Sequence, residues 1–324
     1  MRAATQTSSV ATVSNQAESR EPPPGWSFAA LAVTLLSITG PVAKHIKLDG
    51  LALGFHRFFW LAIALSLVMA VRRQRVTLKS LKWSWLPGVL FAVNIAMFFS
   101  AVKLTTIANA TVIGAIQPAL AMVLVSRVFG ERVHRTDYLF TAGAIGGVLF
   151  VVYGSSVRPE WDIRGDLLSF GSIVAWTAYL FATKRARQHL GAIELQTTLT
   201  AVAAVVMLPV ALASGQDLAV PRSSIWFLAL LAFVGGAGHT LVNFAHAHTK
   251  LLLMSLMFLA VPVLSTAWAA LFLGESLNAW QISGMGIVLA ALGMLVVTNE
   301  RRDRLDRLDN ADKQPGVLDP TRPS

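Results

Sequence analysis

Three polar side chains share one face of an otherwise apolar stretch late in the chain. His239, Asn243 and His246 are spaced i, i+4 and i+7, which places them on one side of a helix. If that helix lies in hydrocarbon, its polar groups need partners, so this face should point into a helix bundle. There the imidazole and amide groups could bind a substrate carboxylate, and a histidine could titrate near neutral pH. The alternative is that they only hydrogen-bond neighbouring helices.

Five more residues carry groups that could bind a small molecule: Arg57, Asn94, Asn109, Trp176 and Tyr179. Arg57 could face inward and bind an anionic group, or extend to the lipid headgroups. The two amides could contact a substrate or join helices, which is the commoner role of such groups. The two aromatic side chains could stack on an aromatic or apolar substrate, or simply pack. With the previous three residues, these form the predicted substrate-binding set.

Two prolines lie near the middle of apolar segments, and each is a candidate hinge. A proline inside a helix removes one backbone hydrogen bond and clashes with the preceding turn. Pro118 and Pro262 should therefore kink their helices. Kinks at the bilayer midplane could act as hinges or expose carbonyl groups during alternating access. They could also be static.

The segments that carry these residues are unusually apolar. Hydrophobic residues make up 55% of the 324 residues, and charged residues only 14%, against about 25% in a soluble domain. A bilayer core requires about 20 apolar residues per helix, and ten segments meet that requirement. Their bounds are 26–43, 51–71, 84–102, 107–126, 137–154, 166–183, 195–214, 225–247, 251–273 and 279–298. The sequence thus predicts an all-α membrane protein with ten transmembrane helices.

The distribution of acidic residues limits the chemistry of these spans. None of the 17 Asp and Glu residues falls in the interior of a predicted span. Carboxylates inside a membrane are the usual proton relays and cation counter-ions. Their absence argues against a carboxylate-driven cation exporter and against intramembrane aspartyl or zinc proteases. It favours a neutral, zwitterionic or anionic substrate, while the lack of cysteine excludes thiolate nucleophiles and cysteine metal sites.

Basic residues predict the orientation of the chain. The two termini and the even-numbered loops carry 20 Lys and Arg residues, whereas the odd-numbered loops carry six. By the positive-inside rule, both termini lie in the cytoplasm. The segment 300–324 has six basic and six acidic residues, so it lacks the unbalanced charge of a nucleic-acid-binding arm. No nucleic-acid partner is expected.

An internal repeat divides the chain into two halves. A shift of 144 residues superposes the first five spans on the last five, aligns Pro118 with Pro262, and aligns the Gly-Glu pair at 130–131 with that at 274–275. Because each half has an odd number of spans, the second half must enter the membrane inverted. Predicted domains are a disordered cytoplasmic tail (1–25), repeats at 26–155 and 165–298, and a cytoplasmic tail (299–324). Glu131 and Glu275 should cap the helices that follow them.

These features resemble the EamA-type ten-helix members of the drug/metabolite transporter superfamily. The likeness rests on Arg57 within FHRFFWLAIAL, on the run 101–110 leading to Pro118, and on the Gly-Glu pairs. It covers about residues 26–298. The resemblance implies a transporter that works in the direction of export and that can dimerise. One departure is the segment 245–249, which has histidines at 246 and 248 where the family pattern has apolar or aromatic residues.

The predicted function is export of a small metabolite, such as an amino acid, across the cytoplasmic (inner) membrane by alternating access. Either facilitated diffusion or proton coupling through His239 or His246 could drive it. No catalytic residue, metal or cofactor is expected, and the protein could be a monomer or a homodimer. One alternative is a non-transporting scaffold or sensor. A remote one is an intramembrane hydrolase using Ser283 and His239, although no G-x-S-x-G turn is present.

Overall fold

The computed structural model describes residues 25–155 and 162–312, and within them the chain forms twelve α-helices and one short 3₁₀ turn, Arg222–Ser224. The helices are α1 Gly25–Ala43, α2 Gly50–Val71, α3 Leu78–Ala101, α4 Ile107–Gly114, α5 Gln117–Phe129, α6 Arg135–Tyr153, α7 Ile163–Ala186, α8 Ala192–Ala213, α9 Ile225–His248, α10 Leu251–Met257, α11 Ala260–Leu273 and α12 Ala279–Asp312. Ten helical segments in the described part of the chain are long and apolar enough to cross a bilayer. The predicted number of spans and the all-helical class are confirmed.

The fourth and ninth spans differ from the expected single kinked helices. Each consists of two helices, α4 with α5 and α10 with α11, separated by a break just before its proline. Pro118 lies in the first turn of α5, and Pro262 lies in the first turn of α11. A proline fits the first turn of a helix because no N–H is needed there. The proline therefore begins a new helix instead of bending an old one.

Two helix ends also differ from the predicted bounds. Helix α3 begins six residues before 84 because the Thr77 side chain accepts a hydrogen bond from the Ser80 amide and caps it. Helix α12 runs past 298 to Asp312, so 299–312 continue the last span as a helix. Arg302 on this extension binds buried Asp137 of α6 at 2.8 Å, which anchors it. Residues 1–24 and 313–324 of the two predicted tails lie outside the described residues.

Helix pairing follows the inverted repeat. Helices α2 and α8, the second spans of each repeat, pack on each other, and so do α6 and α12, the fifth spans. Helix α1 packs on α9, and the symmetry-related pair α3 and α7 packs in the same way. The α6–α12 contact needs glycine, because a Cβ on Gly284 would lie 2.5 Å from the Gly147 carbonyl oxygen. The two repeats are therefore interleaved, and the middle of the bundle is bounded by both.

Both repeats end their fourth span in the same way. Gly130 has φ of 65° and Gly274 has φ of 69°, a left-handed conformation that glycine adopts at little cost. This explains why glycine precedes glutamate at both aligned positions.

The face of the bundle where α1 begins and α12 extends is called the terminal face. The other is called the opposite face.

Candidate functional site

A cavity of about 290 Å³ lies in the half of the bundle nearer the opposite face. This volume is at the lower end of the roughly 300–1,000 Å³ typical of small-molecule pockets. Its walls come from α3, α4, α5, α7, α10 and α11. Polar lining residues are Asn94, Thr111, Gln117, Ser169, Ser172 and Ser255, and aromatic ones are Phe98, Trp176 and Phe258. The cavity suits a small molecule with both polar and apolar groups.

The two helix breaks meet at this cavity. Gly114, Pro118, Phe258 and Pro262 all line it. Because proline has no N–H, the carbonyl oxygen of the residue four positions earlier loses its helical partner. The chain then tightens locally, and the Ala119 amide donates to the Ile116 oxygen at 2.9 Å. The N-termini of α5 and α11 and the C-termini of α4 and α10 thus converge on one space, bringing partial charges of both signs.

Asn94 joins α3 to α7 at the cavity wall. Its side-chain amide donates to the backbone oxygen and to the hydroxyl of Ser172, both at 2.9 Å. The Ser172 hydroxyl in turn donates to the Asn94 backbone oxygen at 3.2 Å. One turn away, the buried Ser169 hydroxyl has no hydrogen-bond partner within the described residues. Asn94 is therefore both a helix joint and a lining residue, and substrate contact by it stays a prediction.

A layer of aromatic rings separates the cavity from Arg57. Trp176 lines the cavity and stacks on Tyr179 with 5.0 Å between ring centroids. Tyr179 stacks on Phe91 at 4.7 Å, and the Arg57 guanidinium carbon lies 6.0 Å from the Phe91 centroid. The structure thus brings three of the predicted residues, Arg57, Trp176 and Tyr179, into one cluster that adjoins the cavity through Trp176.

Arg57 faces the interior of the bundle. Its Nη2 donates to Nε2 of His239 at 2.9 Å, so His239 accepts as a neutral imidazole with its proton on Nδ1. No carboxylate of the described residues pairs with Arg57. A cation inside the membrane span without an acidic partner marks a site suited to an anionic group.

A polar seam, defined as Thr183 of α7, Gln196 of α8, and Asn243 and His246 of α9, continues from this cluster toward the terminal face. All four side chains are buried, with at most 3% exposed. The Asn243 amide nitrogen donates to Gln196 Oε1 at 2.7 Å. The Asn243 side-chain oxygen, the Gln196 side-chain nitrogen and both His246 ring nitrogens have no partner within the described residues. Unpaired polar atoms are costly in a closed interior.

Asn109 lies apart from the other predicted residues. Its amide donates to the Thr105 hydroxyl at 3.0 Å and also binds Asp166 near the start of α7. It is fully buried at the opposite-face end of α4 and is not among the residues that line the cavity. Here the structure favours the helix-joining alternative.

Glu131 closes the terminal face, and the expectation that it caps the following helix is wrong. Its carboxylate accepts from the amides of Leu251 at 2.8 Å and Leu252 at 3.1 Å, at the start of α10. It also pairs with Lys184 at 2.7 Å, with side chains only 9% and 15% exposed. Asp137 instead caps α6, accepting from the His134 amide at 2.8 Å. Glu131 therefore ties the first repeat to two helices of the second.

Glu275, its repeat partner, forms a weaker contact at the opposite face. It pairs with Lys44 at 2.7 Å, and about half of each side chain is exposed. An exposed pair of this kind contributes little. Of these two ion pairs at aligned positions of the repeats, only the one at the terminal face is therefore shielded from solvent.

The two residues of the hydrolase alternative, Ser283 and His239, do not line the cavity. Ser283 is exposed on α12, whereas His239 is buried against Arg57, so the pair that a hydrolase would need does not face a common space. Lining residues that the sequence pattern does not single out include Gln117, Ser169, Ser172 and Ser255. Serine in an apolar helix carries no distinctive signal, and only the proximity of Gln117 and Ser255 to the aligned prolines could have pointed to them.

Comparisons with known proteins agree with this architecture. The chain is 27% identical over 209 residues to a protein of Salmonella typhimurium named "Probable amino-acid metabolite efflux pump", covering 61% of this chain and 70% of that one. It is 26% identical over 286 residues to the uncharacterized transporter YwfM of Bacillus subtilis, covering 84% and 92%. A solved crystal structure that is 17% identical matches the fold with a TM-score of 0.70, over 86% of this chain and 98% of that one. The model of the EamA-like transporter family matches residues 23–153 and 163–298, and the chain therefore belongs to that family of membrane transporters.

Proposed function

We propose that this transporter exports a small zwitterionic or anionic metabolite, an amino acid above all, by alternating access. The observation that carries the proposal is the cavity at the meeting point of two broken helices, next to an aromatic cluster that contains Arg57, a cation with no acidic partner among the described residues. Such discontinuous helices form the substrate sites of many inverted-repeat transporters. A scaffold or sensor would need no polar cavity of this kind. The similarity to the Salmonella protein named as a probable amino-acid metabolite efflux pump supports the amino-acid class.

The chemistry of the cavity matches the groups of an amino acid. A carboxylate is favoured near the N-termini of α5 and α11 and toward Arg57. An ammonium group is favoured near the Gly114 carbonyl, which has lost its helical partner to Pro118, and near the Ser169 hydroxyl. The rings of Phe98, Trp176 and Phe258 offer an apolar surface to the side chain.

The polar seam supports alternating access. In the observed state the cavity occupies the half toward the opposite face, while the seam is closed on the other side of Trp176. If α7 and α9 separate, the unpaired atoms of the seam line a second, hydrated part of the substrate path, which opens at the terminal face. Water in that part of the path then supplies hydrogen-bond partners for the polar groups that are buried in the observed state. The excess of basic residues at the terminal face supports a cytoplasmic terminal face and hence an outward-facing observed state.

Counterflow in proteoliposomes tests the proposed substrate class. The purified full chain is reconstituted with unlabelled amino acids, dicarboxylates or nucleosides inside, and entry of the labelled compound is measured. We expect amino acids to support counterflow and nucleosides to give none. Arg57→Gln should weaken it, whereas Arg222→Gln, which changes an exposed arginine of the opposite-face turn, serves as the matched control. Counterflow of nucleosides alone, with correctly folded protein, would contradict the proposal.

A further inference from the structure

A second and larger recess lies at the terminal face, away from the central cavity. It has a volume of about 1070 Å³ and lies between the start of α1, the junction of α9 with α10, and the end of α12. We call it the terminal cleft. Its deeper wall includes apolar Leu253 and Val297, and its rim includes Trp26, Arg301 and Arg304. Tryptophan at the end of a membrane span is typical of the headgroup layer, so the cleft is at the depth of lipid headgroups.

The charges of the cleft leave two arginines free. Lys184 is paired with Glu131, and Lys250 is paired with Asp303 at 2.6 Å. The Glu300 carboxylate accepts a hydrogen bond from the Trp26 indole. Within the described chain, Arg301 and Arg304 form no ion pair or hydrogen bond, and both are exposed. With four basic and two acidic lining residues, the cleft carries an excess of positive charge.

We propose that the terminal cleft binds the headgroup of an anionic phospholipid. The two arginines are placed to bind the phosphate, because guanidinium groups donate paired hydrogen bonds to phosphate oxygens. The apolar wall at Leu253 and Val297 accommodates the start of an acyl chain. Basic pockets between transmembrane helices bind such headgroups in general. A soluble anion would use the arginines but not the apolar wall, and this combination favours a lipid.

The position of the cleft links lipid binding to closure of the terminal face. Lys184 lines the cleft and at the same time binds Glu131 and, at 3.0 Å, the Thr249 carbonyl oxygen. The α9–α10 junction that forms one wall of the cleft also carries the amides that Glu131 caps. A bound headgroup therefore holds the junction and α12 together and stabilises the closed terminal face. This proposal does not depend on which substrate the central cavity takes.

Thermal unfolding of the full chain in neutral detergent tests the site. Phosphatidylglycerol and phosphatidylcholine with identical acyl chains are titrated separately, with inorganic phosphate as a third arm. We expect phosphatidylglycerol to raise Tm further and at lower concentration than phosphatidylcholine, and phosphate alone to leave Tm unchanged. The double variant Arg301→Gln/Arg304→Gln should need about 25-fold more phosphatidylglycerol for the same shift, since each basic residue near an anionic lipid contributes roughly fivefold.

The matched control is Arg72→Gln/Arg75→Gln, which removes two exposed arginines at the same face but outside the cleft. It should respond to phosphatidylglycerol as the unaltered protein does. Equal responses to the two lipids, or an unchanged response of the cleft variant, would overturn the proposal. A shift reproduced by inorganic phosphate would show that the occupant is a soluble anion and would overturn it as well.

Discussion

At the scale of single residues, Arg57 is a cation inside a membrane span that no carboxylate of the described residues pairs with. Within the described residues its hydrogen-bond partner is the neutral imidazole of His239. A carboxylate substrate that passes the aromatic layer during the proposed transport cycle would supply an anionic partner, and hydrogen bonds to charged groups contribute about 1.5–3 kcal/mol. We therefore expect Arg57→Gln to raise KM for an amino-acid substrate about 10- to 100-fold, with a smaller effect for Arg57→Lys. Counterflow kinetics measure this, and an unchanged KM in a folded variant would remove Arg57 from the pathway.

His239 gives a different residue-scale prediction. Because its Nε2 accepts from Arg57, we expect its role to be to orient that cation, and a glutamine oxygen can accept in the same way. We expect His239→Gln to retain transport and to leave the response to an imposed pH gradient unchanged. His239→Leu, which has no acceptor, should raise KM. Loss of the pH response in His239→Gln would instead identify His239 as a proton carrier. The same measurement on His246→Gln tests the other histidine.

Residue types and spacing allowed prediction of one face of the site but not all of it. The i, i+4, i+7 pattern predicted an inward face for His239, Asn243 and His246, and all three are at least 96% buried. Their roles in substrate binding stay predictions. Ser169 and Ser172 could not be found, because a hydroxyl can satisfy itself within its own helix and so leaves no periodic signal. Asn109 and Asn94 were indistinguishable in sequence, since only the packed neighbours decide whether an amide faces a cavity.

At the scale of helices, the breaks before the two prolines control the shape of the cavity. Replacing Pro118 with alanine restores a backbone N–H for the Gly114 carbonyl and favours one continuous helix. We expect Pro118→Ala and Pro262→Ala each to lower the maximal transport rate severalfold while Tm does not fall. Rate and Tm are measured on the same preparations. Pro209→Ala, in α8 and outside the cavity, is the control and should keep the rate of the unaltered protein.

A rate unchanged in both proline variants would show that the breaks are static features.

The sequence predicted the spans well because bilayer thickness sets their length and apolar composition. It could not show that a proline starts a second helix, or that α12 continues to Asp312. Those outcomes depend on contacts distant in sequence, such as that of Arg302 with Asp137.

At the scale of the whole molecule, the proposed alternating access would require the terminal face to open, and we expect the contacts of Glu131 with Lys184 and with the start of α10 to oppose that opening. The internal repeat predicted matching roles for Glu131 and Glu275, yet one is buried between repeats and the other is half exposed. The aligned Gly-Glu pairs alone do not reveal this difference, because the lysines that pair with the two glutamates are not at aligned positions: the shift of 144 residues places Lys184 opposite Gly40.

Removal of the Glu131 charge should shift the protein toward the state that is open at the terminal face. The chain has no cysteine, so Thr183→Cys places a single thiol in the polar seam, where the native side chain is fully buried. In inverted vesicles we expect a membrane-impermeant maleimide to label Glu131→Gln/Thr183→Cys at least about tenfold faster than Thr183→Cys alone. A tenfold change corresponds to about 1.4 kcal/mol, within the range for hydrogen bonds to a charged group.

Glu275→Gln/Thr183→Cys should label no faster than Thr183→Cys, because an exposed ion pair contributes little. Equal labelling rates in all three variants would show that Glu131 does not restrain the terminal face. Faster labelling in the Glu275 variant alone would show that the ion pair at the opposite face is the restraint, and it would contradict the prediction.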